Sequence, residues 1–415
     1  MVGMRRSLVA VVVAAVIAPL ALSACGDDKK PAAFAAGQPS ASTSAGPSAS
    51  APQPESAAVP IELTVTPVSG KKDVPVSAEI GFKVAGAKVT SVTLKDSKGK
   101  PVAGELRDDG SSWVPSKTLK TKESYAASVV ATSDSGLTKT VGTTFTTMGA
   151  PAHRTGTGLY LFDDHTYGVA MPVVVEFSPG IKKADRAAVQ KRMFVKTDPP
   201  QPGVWSWTPS GTQAYYRAKD YWQSGTTLTV RIAVGGVPTG AGRYGDRDRA
   251  ATAKIGRKFE MVVDNKTKKM TVEQDGKVVK TMPVSLGRPS KPSASGTMVV
   301  MDKLAETVFD TTDTDGADGY RTEIQYAQRL TWSGQYIHSA PWSVGAQGHR
   351  NVSHGCVNVA PGNARWLFDK TLIGDPVKVN GTGSKLGYGD GWTPWNVSWP
   401  EFVKGSALPV PAALK

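Results

Sequence analysis

Phe259-Glu260-Met261-Val262-Val263-Asp264 and, a few residues on, Lys269-Met270-Thr271-Val272 place apolar side chains at every second position. That is the two-residue period of a strand covered on one face. Asp264-Asn265-Lys266-Thr267 turns the chain between the two runs, and Asp275-Gly276 marks a tight hairpin, because both central positions of such a turn tolerate positive φ. Further strands are expected at 278–286, 297–301 and 335–338, so this part of the chain reads as sheet. One helix is expected, over 361–372, with Ala364, Leu367, Phe368 and Thr371 on one face and Gly374 as its stop. After Asn380 comes a Gly-rich tail with Tyr388, Trp392, Trp395, Trp399 and Phe402, rings expected to cover an exposed face of the domain before them.

Upstream the same period recurs in shorter runs. Ile61-Glu62-Leu63-Thr64-Val65 and Val89-Thr90-Ser91-Val92-Thr93-Leu94, separated by Gly, Asp, Ser and Lys clusters, read as an immunoglobulin-like sandwich over 61–149. It carries no Cys or His and only Trp113 among tryptophans, which suits a spacer. A second module of the same kind is expected over 150–257, with Val173-Val174-Val175-Glu176-Phe177 and Thr227–Ile232 as its clearest strands. Trp205, Trp207, Tyr215, Tyr216, Tyr221 and Trp222 admit a sugar-stacking platform, but core packing and contact with a neighbouring domain is the favoured account. The fold class is therefore mainly β: two sandwich modules, a β-rich domain over 258–381 with one short helix, and a Trp-rich tail over 382–415.

A length of 415 residues suits two or three folded units, and 43 Gly with 29 Pro disfavour helical bundles. The two cysteines, Cys25 and Cys356, exclude a disulfide framework and a four-cysteine zinc site. Arg5 and Arg6 precede an apolar run over 8–22 that ends in Leu22-Ser23-Ala24-Cys25, the pattern of a secretory leader over 1–24. It resembles the bacterial lipoprotein signal, in which that cysteine receives diacylglycerol and becomes the first mature residue. Residues 26–60 are almost entirely Ala, Ser, Pro, Gly and Gln, too poor in large apolar residues for a core. Such a tether spans roughly 30 to 35 Å as a coil and about 110 Å when extended. The formal charge of +14 fits attraction to anionic wall and membrane surfaces and equally a solvated basic exterior; no Lys/Arg-dense block points to nucleic acid.

Three of the five histidines, at 338, 349 and 354, fall just before the second cysteine, in Ser353-His354-Gly355-Cys356-Val357-Asn358. A cysteine paired with histidine supplies a thiolate near neutral pH, a nucleophile strong enough for an amide carbonyl. Cys356 is that candidate, and an unpaired thiol kept on an exported protein is an oxidation liability if it serves only packing. Gly355 permits unusual φ, so the amides of Gly355 and Cys356 are expected to face a developing oxyanion. His338 closes a strand and is the better-held base; His354 then shapes the pocket, and His349 reads as an exposed loop histidine. The spacings of His338, His349, His354 and Cys356 match no common zinc pattern, and the histidine-before-cysteine order is the reverse of a papain-like protease. No cofactor or metal is implied. A non-catalytic wall-binding lipoprotein would explain the anchor and modules but not this cluster.

His338-Ser339-Ala340-Pro341-Trp342-Ser343, then fourteen residues between His338 and Ser353, then Ser353-His354-Gly355-Cys356-Val357-Asn358, resembles the L,D-transpeptidase family. The resemblance runs from about residue 61 to the tail and is strongest over 319–358; actinobacterial members are similar in carrying two immunoglobulin-like modules. It implies peptidoglycan cross-linking, with tetrapeptide stems as donor and acceptor. Cys356 would attack the carbonyl of the third stem residue, release D-alanine and hold the stem as a thioester. It further implies that the Ser339 carbonyl orients His338, that the Tyr320 hydroxyl completes the oxyanion hole, that Ser353, His354 and Asn358 contact substrate, and that carbapenems acylate Cys356. L,D-carboxypeptidase activity or attachment of wall proteins would use the same chemistry. The expected location is the outer face of the membrane, held by a lipid on Cys25. Ser293-Ala294-Ser295-Gly296 departs from the Thr-Pro-x-Gly often found there, which bears on the local turn.

Overall fold

Alternation becomes burial in the first module. In Glu62–Thr66 the side chains of Leu63 and Val65 are buried and their neighbours exposed. The computed structural model describes residues 60–312, 316 and 319–415. The expected leader through Ala24, Cys25 and the tether up to Val59 lie outside the described residues. One four-stranded sheet, in the order Glu62–Thr66, Ile80–Ala85, Ser112–Pro115, Gly104–Leu106, shares a core with a second: Lys71–Val74, Thr138–Thr147, Ser124–Thr132, Lys88–Asp96. Trp113 is buried in that core.

The second sandwich pairs a six-stranded sheet centred on Val173–Ser178 with a four-stranded sheet built on Arg249–Ile255 and Thr227–Ile232. It also holds a five-residue helix, Arg186–Gln190, too short to leave a periodic signal. Trp205, Trp207, Tyr215 and Trp222 are buried, and Tyr216 and Tyr221 half-buried, so this aromatic cluster is core rather than a stacking platform. Its Tyr221 ring packs edge-on against Trp395, 4.6 Å away.

The third domain is two sheets. Lys277–Pro283, Lys269–Gln274, Phe259–Asp264, Pro376–Asn380, Ala294–Val299 and Ser384–Lys385 form one. Asp275 and Gly276 both take positive φ, 51° and 78°, as the hairpin turn requires. The other holds Asp302–Asp310, Arg321–Arg329, Tyr336–Ser339 and Val357–Val359. The first two of these strands form a long hairpin that the sequence does not announce. Much of it is exposed, and apolar alternation appears only where a face meets a core. The helix spans Pro361–Lys370, with proline in its first turn and Ala364 and Leu367 buried.

The tail departs from expectation. Ser384–Lys385 extends the first sheet of the third domain, but Trp392, Trp399 and Phe402 then enter the core of the second sandwich, together with Val299 and Met301. The Arg217 guanidinium lies over Trp395, Trp399 and Phe402 at 4.5, 5.1 and 4.4 Å. Trp395 Nε1 donates to the Ala170 carbonyl at 2.7 Å and Gln190 Nε2 to Ser406 Oγ at 2.9 Å. The rings therefore finish the second module instead of capping the third, because the sheet of the second leaves its aromatic side chains uncovered until the tail arrives. The described residues form one compact unit.

Candidate active site

Tyr336–Ser339 runs parallel to Val357–Val359, with His338 opposite Asn358. This register brings His338 and Cys356 to the wall of one cleft of about 330 Å³, which Tyr320, Thr322, Trp342 and His354 also line. His338 Nδ1 lies 2.8 Å from the Ser339 carbonyl oxygen. A carbonyl only accepts, so Nδ1 carries the proton and Nε2 keeps its lone pair. Phe309 meets the ring edge-on at 5.5 Å and Trp342 lies 6.0 Å away. Burial pulls the imidazole down to about 4, against the Ser339 carbonyl, which favours the charged form.

Burial pushes the Cys356 thiol up to about 12, with the Tyr336 backbone amide pulling the other way. The thiol donates to the Gly334 carbonyl at 3.7 Å. Both shifts run toward the neutral form of each group. The reason is burial: a charged pair here would lose its water without gaining enough dipoles in exchange.

The turn carrying the nucleophile candidate is braced by hydroxyls. Ser353 Oγ accepts the Gly355 amide at 3.1 Å and donates to the Cys356 carbonyl at 2.7 Å. Ser293 Oγ donates to the Gly355 carbonyl at 2.6 Å and accepts the Gly287 amide at 2.9 Å. Gly355 sits at φ 127°, a conformation that favours glycine. Two expectations change. The Gly355 amide is committed to Ser353 Oγ, which leaves the Cys356 amide of that pair as the candidate oxyanion donor. Ser353 lines the cleft, but its hydroxyl is spent shaping the turn.

Tyr320 directly precedes the strand Arg321–Arg329, and its ring lies 4.9 Å from that of His354, so these two line the cleft in contact. Asn358 Nδ2 donates to Ser343 Oγ at 3.2 Å, while its buried Oδ1 has no hydrogen-bond partner. His349 is exposed, away from the lining residues. Among the described residues, no group of three His, Cys, Asp or Glu side chains is placed to hold a metal ion. Sequence reasoning missed Gly334, Gln335, Ser293 and Phe309. None has a reactive side chain in a motif, and only Ser293, in the unusual Ser-Ala-Ser-Gly run, left a trace.

Residues 258–379 match the L,D-transpeptidase catalytic domain, and residues 71–238 a bacterial Ig domain, a match that straddles both sandwiches. L,D-transpeptidase 2 of Mycobacterium tuberculosis (strain CDC 1551 / Oshkosh) is 35% identical over 351 residues, covering 83% of this chain and 85% of that relative. L,D-transpeptidase 5 of Mycobacterium tuberculosis (strain ATCC 25618 / H37Rv) is 34% identical, covering 85% of this chain and 78% of that relative. A solved L,D-transpeptidase from Mycobacterium smegmatis is 30% identical and covers 55% of this chain and 99% of its own, with a TM-score of 0.44. Likeness of this extent, reaching through the modules as well as the domain that holds the cysteine and histidine, means that the chain belongs to the L,D-transpeptidase family.

Proposed function

We propose that this enzyme is a peptidoglycan L,D-transpeptidase in which Cys356 is the nucleophile and His338 the base. The observation that carries this reading is the bond from His338 Nδ1 to the Ser339 carbonyl, which leaves Nε2 bare on the cleft that Cys356 lines. The thiol starts neutral, so His338 takes its proton as sulfur attacks the carbonyl carbon of the third residue of a tetrapeptide stem. The C–S bond forms, the C–N bond to D-alanine breaks, and the imidazolium returns the proton to the leaving amine. An acceptor stem then brings its side-chain amine to the thioester; His338 removes a proton, the new amide forms and the thiol is restored. The Cys356 amide and the Tyr320 hydroxyl are the oxyanion donors in this reading, and His354 and Asn358 shape the pocket beside them.

Cys356→Ala abolishes D-alanine release from tetrapeptide stems in this scheme, whereas release by the purified variant would overturn the nucleophile. Mass spectrometry of muropeptide products at high acceptor concentration reads the fate of the thioester. Dimers support transpeptidation, and trimmed monomers alone would make the enzyme an L,D-carboxypeptidase. Carbapenem acylation belongs to the same reading, as a covalent mass shift that Cys356→Ala loses. Location is part of the proposal too: a lipid on Cys25 anchors the chain outside the membrane, the tether giving reach into the wall. Cys25→Ala then leaves the membrane fraction, and retention there would point to an uncleaved leader.

A further inference from the structure

The Cys356 sulfur meets two backbone groups of one short segment. Its thiol donates to the carbonyl of Gly334, and the amide of Tyr336 is hydrogen-bonded to the same sulfur. The residue between them is Gln335. Gln335 Oε1 accepts the Ala294 amide at 2.9 Å. Its Cγ lies 3.7 Å from where a side chain on Gly355 would begin, so the Gln335 stem also floors the turn before the nucleophile. Ala294 follows Ser293, whose hydroxyl holds the Gly355 carbonyl. The segment 334–336 and the turn 353–356 are thus tied to the same two residues, 293 and 294.

On its inner side the Gln335 backbone is already fixed: its amide donates to Thr331 Oγ1 at 3.0 Å and its carbonyl accepts the Leu330 amide at 2.9 Å. The bond to Ala294 is the hold on the side facing the nucleophile turn. It also requires an amide hydrogen at 294, which proline lacks. This chain has alanine at the place where the family run it resembles often has proline.

We propose that Gln335 is a positioning residue for Cys356, gripping the Ala294 amide so that the Gly334 carbonyl and Tyr336 amide stay in register with the sulfur. This rests on Cys356 being the nucleophile. The thiol moves from the Gly334 carbonyl to His338 for attack, and the Gln335 tie keeps that exchange within one fixed frame instead of a drifting loop.

The test uses the full chain and two readouts: the rate of Cys356 alkylation by iodoacetamide, and kcat and KM for D-alanine release from tetrapeptide stems. Gln335→Met keeps the length of the side chain and removes the acceptor. Ala294→Pro removes the donor at the first residue of a strand, where proline is tolerated. Each is expected to lower kcat and the alkylation rate about tenfold, the weight of one neutral hydrogen bond, with KM unchanged. The double variant is no slower than either single, since both break one bond. Gln335→Glu retains an acceptor and keeps alkylation above that of Gln335→Met. Rates equal to the parent in Gln335→Met, or losses that multiply in the double variant, overturn the proposal. If Cys356→Ala still releases D-alanine, the nucleophile reading has failed instead, and the alkylation rates still report whether Gln335 positions the thiol.

Discussion

Two carboxylates sit at the two joints of the chain, Glu79 half-buried and Asp375 fully buried, and they are held in opposite ways. Glu79, where the first sandwich meets the second, accepts from Arg107, Ser112 and Arg192, the last at 2.7 Å from across the joint. Burial alone would raise its carboxyl, but these hydrogen bonds hold it at about 2. Asp375, where the second sandwich meets the catalytic domain, is packed against Gly168 and accepts the Leu372 amide at 2.7 Å. Arg257 stands off at 3.7 Å, and Asp375 Oδ1 has no partner. Here burial wins over Leu372 and Arg257, and the carboxyl rises to about 7. Both have an arginine nearby; what separates them is that Asp375 is more deeply buried and leaves one oxygen unbonded, whereas both oxygens of Glu79 are bonded.

The contrast is sharpest on removing a partner. Arg192→Ala leaves Glu79 short of its cross-joint donor and is expected to cost about 1.5 to 3 kcal/mol, read as a lower denaturation midpoint. A loss near zero would mean that Arg107 and Ser112 suffice.

Acid should separate the joints next. The Glu79 carboxyl is depressed on folding, so its contribution, about 3 kcal/mol, is present above pH 4.5 and lost as pH falls toward 2. The Asp375 carboxyl is raised, so it costs nothing below pH 3.8, destabilises progressively as pH rises from 3.8 to about 7, and its cost is complete above that. Asp375→Asn is therefore expected to be about 2 kcal/mol more stable than the parent at pH 8 and near equal at pH 4, in denaturant titrations at both values. A variant weaker at pH 8 would show that Arg257 does hold the charge. The smallest effect should come from Lys196→Ala. Lys196 pairs with Glu105 at 3.6 Å across the first joint, but both are mostly exposed, so about 0.5 kcal/mol or less is at stake.

Strands with a covered face were legible because burial writes a period: Phe259–Asp264 and Thr227–Ile232 appear as read. The cysteine and histidine were legible because reactive side chains cluster in sequence when a loop and a strand end meet. The Asp302–Asp310 hairpin was not, since an exposed strand need not alternate, and its Phe309 reaches His338 across about thirty residues of chain. The charge state of the site was also hidden. Sequence names the pair, whereas depth of burial decides whether it ionises. Gln335 lay equally out of sight, because its partner is a backbone amide that no side-chain pattern marks.

The tail sets an order of assembly. A chain that emerges N-terminus first can complete the first sandwich as soon as Thr147 is available, since all eight strands lie before that point. The second cannot close on the same schedule. Its core waits for Trp392, Trp399 and Phe402, and its Gln190 waits for Ser406, 216 positions later. Ending the chain early would thus injure a domain far from the cut, and such long loops slow the search for the native state. Residues 392–406 act as the latch for a module begun more than two hundred residues earlier.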